Sequence, residues 1–465
     1  MPPVFAVQNA TKTIRLNSLR ASLPTTTSIH KVGRPQIRQP RSKIPGCRWT
    51  HTGAKWRPVQ VLDDWVAKEA RPISLRQLMV FGRSLTESRL LASANYVRTE
   101  LPTRIAHRIR DMQRLPYVVV TNKHMSDVYE LYYNGFDVLR RVKEIKNLDD
   151  NEHFCSVVAE MLRTHLSVIP KLAMGIMECN GMMPAAELNS FMNTILKSRI
   201  SRRVIAEQHL ALTETFNSPW FSPGAKLSES EFIGEVFLKC IAKDVVERCG
   251  AAVQDLARTA NGPSALIPSI NINGHLEANF PYILSHLEYI IGELLRNSVQ
   301  AVIENNHTGE PPPPIEVTLC EAQQHVIIRI SDRGGGIHRD MLPHIWTFGK
   351  GPSAPMPFDQ VPLIAETLQK FKIDGNFSDL QDTFAQRSET YSSPHHDGSL
   401  TSLSTRPPDL RLGMGLPLSR VYAEYWAGSL EVHSLEGYGV DAFLQISKLG
   451  NKNEQLATRA TMDAV

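Results

Sequence analysis

The hydrophobic periodicity of the chain changes once, near residue 262, and this change constrains the fold more than any other feature. Between about residue 73 and residue 260, apolar residues recur at helical spacing, and short loops separate the periodic segments. After residue 262, strand-like alternation such as that of Val326, Ile328 and Ile330 is mixed with one strongly helical segment. We therefore predict an α+β chain, with an N-terminal antiparallel helical bundle followed by a domain of helices and strands.

The helices of the bundle are predicted from caps and spacing. Ser84 and Glu87 are spaced as a capping box at the start of the first helix. Pro102 is predicted to be the first residue of a second helix, since proline is favoured at that position. Further helices are predicted over residues 125–145, 151–179, 184–214 and 232–256, the last of which leads into the second domain.

The first 62 residues have an unusual charge composition. They contain eleven Lys and Arg residues and neither Asp nor Glu, and they are rich in Ser, Thr and Pro. This composition is typical of an organelle-targeting presequence, and a basic tail that binds acidic surfaces is the alternative. Without these residues the formal net charge changes from +4 to −7, so the remaining body lacks the electrostatic basis for general nucleic-acid binding.

Other compositional features narrow the class of protein. The six cysteines are scattered and form no Cys-x-x-Cys pair, which argues against a zinc ribbon or a disulfide framework and fits a reducing compartment. No apolar run approaches the ~20 residues that span a bilayer. The last fifteen residues are polar and are predicted to be frayed.

The residues that carry chemistry occur in a fixed order in the second domain. Glu293 and Asn297 are four residues apart on the predicted helix and therefore share one face. An apolar strand then ends in Asp332, which is followed by the glycines 334–336. Residues 413–415, Gly-Met-Gly, lead into a helix, an arrangement that can direct backbone amides at a phosphate. Each feature alone is weak, because a lone helix carboxylate is usually solvated and a glycine cluster is usually a turn.

Taken together, this order resembles the ATPase fold shared by HSP90, type II topoisomerases, histidine kinases and the mitochondrial dehydrogenase kinases. The segments GELLRNSVQAVIE, IIRISDRGGGI and GMGLPLSRVYAEYWAGSLEVHSLEGYGVDA are similar to those of pyruvate and branched-chain 2-oxo-acid dehydrogenase kinases, as are YVRTELPTRIAHRI and EQHLAL in the bundle. The resemblance covers about residues 70–450 and implies a C-terminal GHKL-type (histidine-kinase-like) ATP-binding α/β sandwich. The domains it implies are a presequence or disordered segment (1–62), a regulatory and lipoyl-docking bundle (63–260), an ATP-binding kinase domain (261–450) with a lid (351–412), and a disordered tail (451–465).

The resemblance also implies a role for each matching position. Glu293 would be the general base for the substrate hydroxyl, and Asn297 would bind the Mg2+ that bridges the ATP phosphates. Asp332 would accept a hydrogen bond from the adenine amino group. The glycines are expected to let the backbone lie against the nucleotide, because a Cβ there would occupy its space. The other expected nucleotide-binding positions are Gly334, Gly336, Ile337, Gly413, Met414, Gly415 and Leu416.

The activity implied is that of an ATP- and Mg2+-dependent protein-serine/threonine kinase of the mitochondrial matrix. Its substrate would be the α subunit of a pyruvate or branched-chain 2-oxo-acid dehydrogenase complex, which phosphorylation inactivates. The lipoyl domain of the acyltransferase core is the expected docking partner, a homodimer is expected, and no nucleic acid or transmembrane segment is. Two alternatives stay open, a two-component-type protein histidine kinase and a scaffold that holds nucleotide without transferring phosphate.

Departures from the family pattern bear on these alternatives. Val440 follows Gly439 where the family normally has threonine, and Gln300 stands where it has arginine, so both keep the scaffold alternative open. Tyr289 lies one turn before Glu293, where pyruvate dehydrogenase kinases usually have histidine, and it favours the branched-chain relatives.

Two features of the bundle are also candidates for function. His209 is a candidate phosphoacceptor for the histidine-kinase alternative, although a packed histidine is the commoner case. Arg199, Arg202 and Arg203 are candidates for an anion pocket that takes a regulatory keto acid, because guanidinium groups match carboxylates. A solvated basic helix face is the alternative.

Overall fold

A computed structural model describes residues 59–83, 85–218, 232–262, 265–306, 311–348, 413–448 and 452–456. The predicted lid, residues 351–412, and the predicted presequence up to residue 58 lie outside the described residues. The last four residues of the acid-free segment are described, since helix α1 begins at Val59 and buries Leu62. Among the described helices, none has the length and apolar character that crossing a bilayer requires.

The first domain is a helical bundle, as predicted. Its helices are α1 (Val59–Val66), α2 (Leu75–Arg83), α3 (Glu87–Gln113), α4 (Tyr117–Val120), α5 (Lys123–Leu139), α6 (Leu148–Thr164), α7 (Val168–Glu178) and α8 (Ala185–Asn217). Helix α3 lies at the centre of the bundle and packs against α1, α5, α6 and α8. Helix α8 runs along α3 and also contacts the second domain, so it connects the bundle to that domain.

Helix α3 is capped two residues after the predicted cap Ser84. The predicted start of a second helix at Pro102 is also wrong, because α3 is continuous there. The cap is Thr86, whose hydroxyl accepts from Arg89 N at 3.4 Å. Leu85 and Leu90, on either side of that cap, are buried in one apolar cluster, a hydrophobic staple that sets where the helix begins. The helix then continues through Pro102, which is buried. Tertiary packing around α3 offsets the roughly 3 kcal/mol that an internal proline costs a helix.

Another predicted helix is divided in the structure. The predicted helix over residues 151–179 is α6 and α7, separated by a 3₁₀ turn at His165–Ser167. His165 Nε2 lies 3.1 Å from the Leu131 carbonyl of α5, and this contact holds the turn against the bundle.

The predicted helix over residues 232–256 begins instead as a β-hairpin. Strands β1 (Phe232–Ile233) and β2 (Val236–Ile241) precede α9 (Ala242–Asn261). The turn contains Gly234 with φ +58°, a left-handed conformation that glycine adopts readily. The β-branched and aromatic residues of β2 favour a strand, and pairing with the more distant β4 completes the hairpin into a sheet.

In its described residues, the second domain has two sheets and three α-helices. The remaining strands are β3 (Ile270–Gly274), β4 (Asn279–Ile283), β5 (Ile315–Glu321), β6 (His325–Ser331), β7 (Ser429–Leu435) and β8 (Gly439–Ser447). The remaining helices are α10 (Leu284–Asn305) and α11 (Gly415–Tyr425). The small sheet has the order β1-β2-β4, and the large sheet has the order β3-β5-β6-β8-β7 with only the β3–β5 pair parallel. The predicted hairpins β5–β6 and β7–β8 are confirmed.

Alternate residues of the large sheet form its buried face. Val317, Ile328 and Leu444 are fully buried, whereas their strand neighbours are only half-buried. Helix α9, which the predicted boundary at residue 260 assigns to the bundle, packs along α10 of the second domain. Helix α10 contacts β6, α11 and α9, so it occupies the middle of the domain and can position groups from several elements.

The prediction of a frayed tail is wrong for residues 452–456. Glu454 is buried, and its carboxylate lies 2.7 Å from Arg104 Nη2 of α3 and also accepts from the Tyr425 hydroxyl of α11. The backbone pairs as well, since Glu454 N donates to Ile73 O at 2.8 Å and Gln455 N donates to Tyr425 O at 3.0 Å. A charged residue in a polar tail finds buried partners here, and local polarity does not reveal them.

Candidate nucleotide-binding and phosphotransfer site

Helix α10 presents Glu293 and Asn297 to one region, but in different environments. Glu293 is buried, with 2% of its side chain exposed, whereas Asn297 is exposed. Arg296 Nη1 lies 3.8 Å from Glu293 Oε1. Within the described part of the chain, the Asn297 amide has no hydrogen-bond partner. The helix therefore carries a sheltered carboxylate and an accessible amide on one face.

The start of α11 lies directly against the Glu293 carboxylate. A Cβ added to Gly415 would stand 2.3 Å from Glu293 Oε2, closer than any side-chain carbon can approach. The preceding Gly413 has φ +63°, and this left-handed residue turns the chain into the helix. Two segments that are more than one hundred residues apart in sequence thus meet at one point.

The first turn of α11 leaves backbone donors available. Met414 caps the helix without a side-chain hydrogen bond, and the first intrahelical bond runs from Leu418 N to Met414 O at 2.9 Å. Helix geometry leaves the amides of Gly415 and Leu416 without acceptors inside the helix, and Pro417 has no amide hydrogen to leave unpaired. Such a helix start attracts anions, because its amides and its dipole both favour negative charge.

Asp332 is buried at the end of β6 with three donors around it. Its Oδ1 accepts from Gly334 N at 3.0 Å and from Val440 N at 3.3 Å, and its Oδ2 accepts from the Ser298 hydroxyl at 2.8 Å. Asp332 N in turn donates to Val440 O at 2.9 Å. Burial raises the pKa of the Asp332 carboxyl, and the three donors oppose that shift. The carboxylate is thus held in one orientation.

The protein itself supplies a steric reason for the three consecutive glycines, and their expected contact with nucleotide stays a prediction. A Cβ at Gly334 would stand 2.5 Å from Ala301 Cβ of α10, and a Cβ at Gly336 would stand 2.3 Å from Leu435 O of β7. Gly335 and Gly336 also have φ of +83° and +75°, which favour glycine. The space that these glycines leave open is filled by the protein itself, by α10 on one side and by the β7–β8 hairpin on the other.

Ile337 takes part in the same packing. Its backbone N donates to the Ser434 hydroxyl of β7 at 2.7 Å. Gly335 and the hairpin turn also exchange two backbone hydrogen bonds, since Gly437 N donates to Gly335 O at 2.8 Å and Gly335 N donates to Tyr438 O at 3.2 Å. The loop after β6 is therefore held to the hairpin along its length.

Two residues of the site were not among the sequence predictions. Ser298 follows Asn297 and is buried inside an apolar stretch of α10, and a serine at such a position needs a partner. Gly439 would place a Cβ 2.0 Å from Asp332 O, so it allows β8 to approach Asp332. Gly439 is one of the hairpin glycines of the family resemblance, but its closeness to Asp332 was not predictable, because the clash depends on which strands pair.

His209, the candidate phosphoacceptor, is fully buried in the bundle. Its Nδ1 lies 3.1 Å from the Ser93 hydroxyl and its Nε2 lies 3.7 Å from Cys155 Sγ. Burial lowers the pKa of His209 to about 4, so the ring is neutral at physiological pH. It is a packed histidine, as the commoner case predicts.

The bundle contains a small cavity that includes the three candidate arginines. Arg199, Arg202, Arg203, Tyr132 and His165 line it together with apolar side chains. Both terminal nitrogens of Arg202 and the Tyr132 hydroxyl are buried without a hydrogen-bond partner among the described residues. Burial, with the neighbouring Arg203, lowers the pKa of Arg199 to about 10. The cavity is therefore lined by buried positive charge.

Comparisons with known proteins agree with this geometry. Residues 72–237 match the family model described as mitochondrial branched-chain alpha-ketoacid dehydrogenase kinase, and residues 283–449 match that of the histidine kinase-, DNA gyrase B- and HSP90-like ATPases. Similar curated proteins include pyruvate dehydrogenase (acetyl-transferring) kinase 2, mitochondrial, of Saccharomyces cerevisiae, 29% identical over 426 residues, which cover 85% of each chain. The mitochondrial pyruvate dehydrogenase (acetyl-transferring) kinase of Arabidopsis thaliana is 29% identical over 406 residues, covering 86% of this chain and 97% of the relative. Isozyme 1 of Mus musculus is 27% identical over 396 residues, covering 82% and 78%.

The fold and the site thus define an ATP-using protein of the GHKL class, in which α10 and α11 face each other beside a mixed sheet. Within that class, the chain is similar to the mitochondrial 2-oxo-acid dehydrogenase kinases in both its helical domain and its nucleotide domain, in the same order.

Proposed function

We propose that this chain is a protein kinase of the mitochondrial matrix that phosphorylates a serine on the α subunit of a 2-oxo-acid dehydrogenase complex and thereby inactivates the complex. The observation that best supports this proposal is the contact of Glu293 with Gly415. It puts a buried carboxylate at the start of a helix whose free amides favour phosphate. A base and a phosphate-binding helix start are the two parts that positioning a phosphoryl group for transfer requires.

Glu293 acts in this proposal as the general base for the serine hydroxyl. Its burial shields it from bulk water, so the proton it accepts comes from a hydroxyl that enters the site. Gly413, Met414, Gly415 and Leu416 place the phosphates, with the amides of the first turn of α11 as donors. Asp332 accepts a hydrogen bond from the adenine amino group. Gly334, Gly336 and Ile337 line the nucleotide site and hold Asp332 and its loop in place.

Mg2+ is the metal that this chemistry needs, and it neutralises charge on the phosphates when bound. Asn297 fits as its protein ligand, because the amide is exposed and is not engaged by the described part of the chain. No group of three or more His, Cys, Asp or Glu side chains in the described ranges could hold a metal. That agrees with a cation that takes most of its oxygen ligands from phosphate and water.

The pyruvate dehydrogenase complex is the first substrate to test, because the similar proteins are named for it. The branched-chain complex is the second, because Tyr289 occupies the position that distinguishes the branched-chain relatives. Incubation of the protein lacking residues 1–57 with labelled ATP, Mg2+ and each complex in parallel should give acid-stable phosphoserine on one α subunit. Absence of phosphoserine from both complexes, with nucleotide binding intact, would contradict the proposed function.

The two alternative functions predict other outcomes in the same assay. A histidine kinase gives acid-labile phosphate on the chain itself, but His209 is buried and already in contact with Ser93 and Cys155. A scaffold binds nucleotide without transfer, and its support rested on Val440 and Gln300. Val440 contributes a backbone donor that needs no side-chain hydroxyl, and Gln300 donates to the exposed Glu304 at 3.1 Å, so neither change disturbs Glu293.

The proposed partners are a second copy of the chain and the lipoyl domain of the acyltransferase core. Sedimentation velocity should give the mass of a homodimer. Immobilised lipoylated domain should retain the kinase, and the same domain without lipoate serves as the control. A monomer in sedimentation, or equal retention by both domains, would contradict these parts of the proposal.

The cavity in the bundle is proposed as a regulatory anion site for a keto acid. The unpartnered terminal nitrogens of Arg202 and the hydroxyl of Tyr132 are the groups that would bind a carboxylate. Helix α8 carries the three arginines and also contacts α11, where Lys197 Nζ lies 3.2 Å from Glu424 Oε2. Binding of an anion in the cavity can therefore affect the position of α11, the helix that holds the phosphates. Inhibition by pyruvate or by a branched-chain 2-oxo acid should be lost in Arg202→Met, and inhibition that persists would contradict this assignment.

A further inference from the structure

The glycine loop after β6 lies along one face of α10. Ser298 contacts Asp332, Ala301 and Val302 lie under Gly334, and Asn305 lies beside Gly335. These four helix positions follow the spacing i, i+3, i+4 and i+7, which defines a single stripe on a helix. The stripe begins one residue after Asn297, so the same helix positions the phosphate side and the base side of the proposed site.

Ser298 differs from the rest of that stripe in being polar and buried. Its hydroxyl donates to Asp332 Oδ2 at 2.8 Å. The other two donors, Gly334 N and Val440 N, both bind Oδ1. In the described part of the chain, Ser298 is thus the donor that orients Oδ2, the oxygen that the backbone leaves available.

Backbone donors and the serine hydroxyl hold the carboxylate in complementary ways. Asp332 N donates to Val440 O at 2.9 Å, so pairing with β8 fixes the backbone of Asp332 beside Val440. Val440 carries no hydroxyl, so the hairpin contributes no side-chain donor at this position. Rotation of the carboxylate is therefore restrained on the Oδ2 side by Ser298.

We propose that Ser298 is a positioning residue for adenine recognition: its hydroxyl fixes the Asp332 carboxylate and aims Oδ2 at the 6-amino group of the base. This inference rests on the proposed nucleotide site. A charged acceptor held by a hydroxyl donor forms a stronger and better directed hydrogen bond with a third group. Ser298 therefore sets the preference for a purine that bears an amino group, while Asn297 beside it serves the phosphates.

Two variants of equal size test the role of the hydroxyl. Ser298→Thr retains the hydroxyl and Ser298→Val replaces it by a methyl group, so both add the same bulk. Nucleotide affinity is measured by calorimetry with Mg-ATP and with purine riboside triphosphate, which lacks the 6-amino group. We expect Ser298→Val to bind ATP roughly 10- to 100-fold more weakly than Ser298→Thr, the range for a hydrogen bond to a charged group. Both variants should bind the analogue alike.

Equal ATP affinity of the two variants would overturn the proposal. An equal loss for ATP and for the analogue would overturn it too, since that result indicates a packing role. If the added bulk prevents folding, Ser298→Ala removes the hydroxyl without it and must show the same selective loss for ATP. Failure of the wild-type chain to bind either nucleotide is a different result, because it contradicts the proposed function itself.

Discussion

Gly415 lies so close to Glu293 that a methyl group at its Cα would stand 2.3 Å from the Glu293 carboxylate. Glycine at the start of α11 therefore lets the helix pack directly against the proposed base. The contact joins the two helices whose facing ends form the site. Replacing the carboxylate of Glu293 tests its role directly.

Glu293→Gln should abolish phosphoryl transfer and leave ATP binding unchanged. The amide has nearly the same shape but cannot accept a proton, so the rate should fall roughly 100- to 10,000-fold. Single-turnover transfer and calorimetric ATP binding measure the two effects separately. Glu304→Gln, an exposed position on the same helix, is the control and should retain transfer. Loss of both activities in Glu293→Gln would mean that Glu293 is structural.

Gly334→Ala should destabilise the protein whether or not nucleotide is present. The new Cβ would stand 2.5 Å from Ala301 Cβ and 2.9 Å from the Ala301 carbonyl carbon, and the helix backbone cannot yield cheaply. Overpacking of this kind costs about 1–3 kcal/mol of unfolding free energy. Denaturant unfolding with and without Mg-ATP measures it.

The matched control for that prediction is Gly250→Ala in helix α9. Its Cβ would meet only the end of the Ile270 side chain at 3.0 Å, and alanine is the better helix former. This variant should be neutral or more stable. If Gly334→Ala is as stable as the wild type, packing against α10 does not require this glycine, and contact with nucleotide would be the remaining reason for it.

Glu454→Gln should weaken the attachment of the tail to both domains. Arg104 would keep Glu100, at 3.3 Å, but lose the partner that lies 2.7 Å away in a buried site. Breaking a buried ion pair by removing one partner costs about 3 kcal/mol or more. Thermal or denaturant unfolding measures the loss.

Two comparisons isolate the cause of that loss. Asp127→Asn breaks the partly exposed pair with Lys171, 2.8 Å long, and should cost less than about 1 kcal/mol. The double variant Arg104→Met/Glu454→Leu should lose less than Glu454→Gln, since no unpaired charge stays buried. If Glu454→Gln and Asp127→Asn cost the same, the tail contact contributes no buried ion pair.

His209 should make the protein less stable in acid. Its folded-state pKa of about 4 is below the value of about 6.5 in an unfolded chain, so the unfolded state binds the proton first as pH falls. The stability that neutral His209 provides is complete above pH ~6.5 and is lost as pH falls from there towards ~4. Between pH 7 and pH 5 the loss is about 2 kcal/mol.

His209→Gln should remove that part of the pH dependence. Urea unfolding at several pH values should show a shallower acid slope for the variant than for the wild type. Superimposable slopes would mean that burial does not lower the pKa of His209, so that the imidazole takes up its proton at the same pH in the folded and unfolded states. The same logic applies to His165 and His286, whose pKa values burial lowers to about 3.

Much of the architecture was predictable because it depends on local pattern. The apolar period of α10 and the alternation of β6 are properties of the segments themselves, and the structure confirms both elements. The order of Glu293, Asn297 and Asp332 along the chain also carried the resemblance that the family comparisons support. Errors arose where packing decides between local preferences, as at the uninterrupted passage of α3 through Pro102.

The sequence by itself determined the succession of helices and strands, the acid-free N-terminus and the order of the carboxylate, amide and glycine positions. These follow from periodicity, charge and composition, which each segment carries wherever it lies. Only the tertiary structure decided what fills the space beside Gly334, Gly336 and Gly415, and that Glu454 is buried. The physical reason is that a steric clash or a buried charge is a property of two segments in contact. The local sequence pattern does not show which segments pack together.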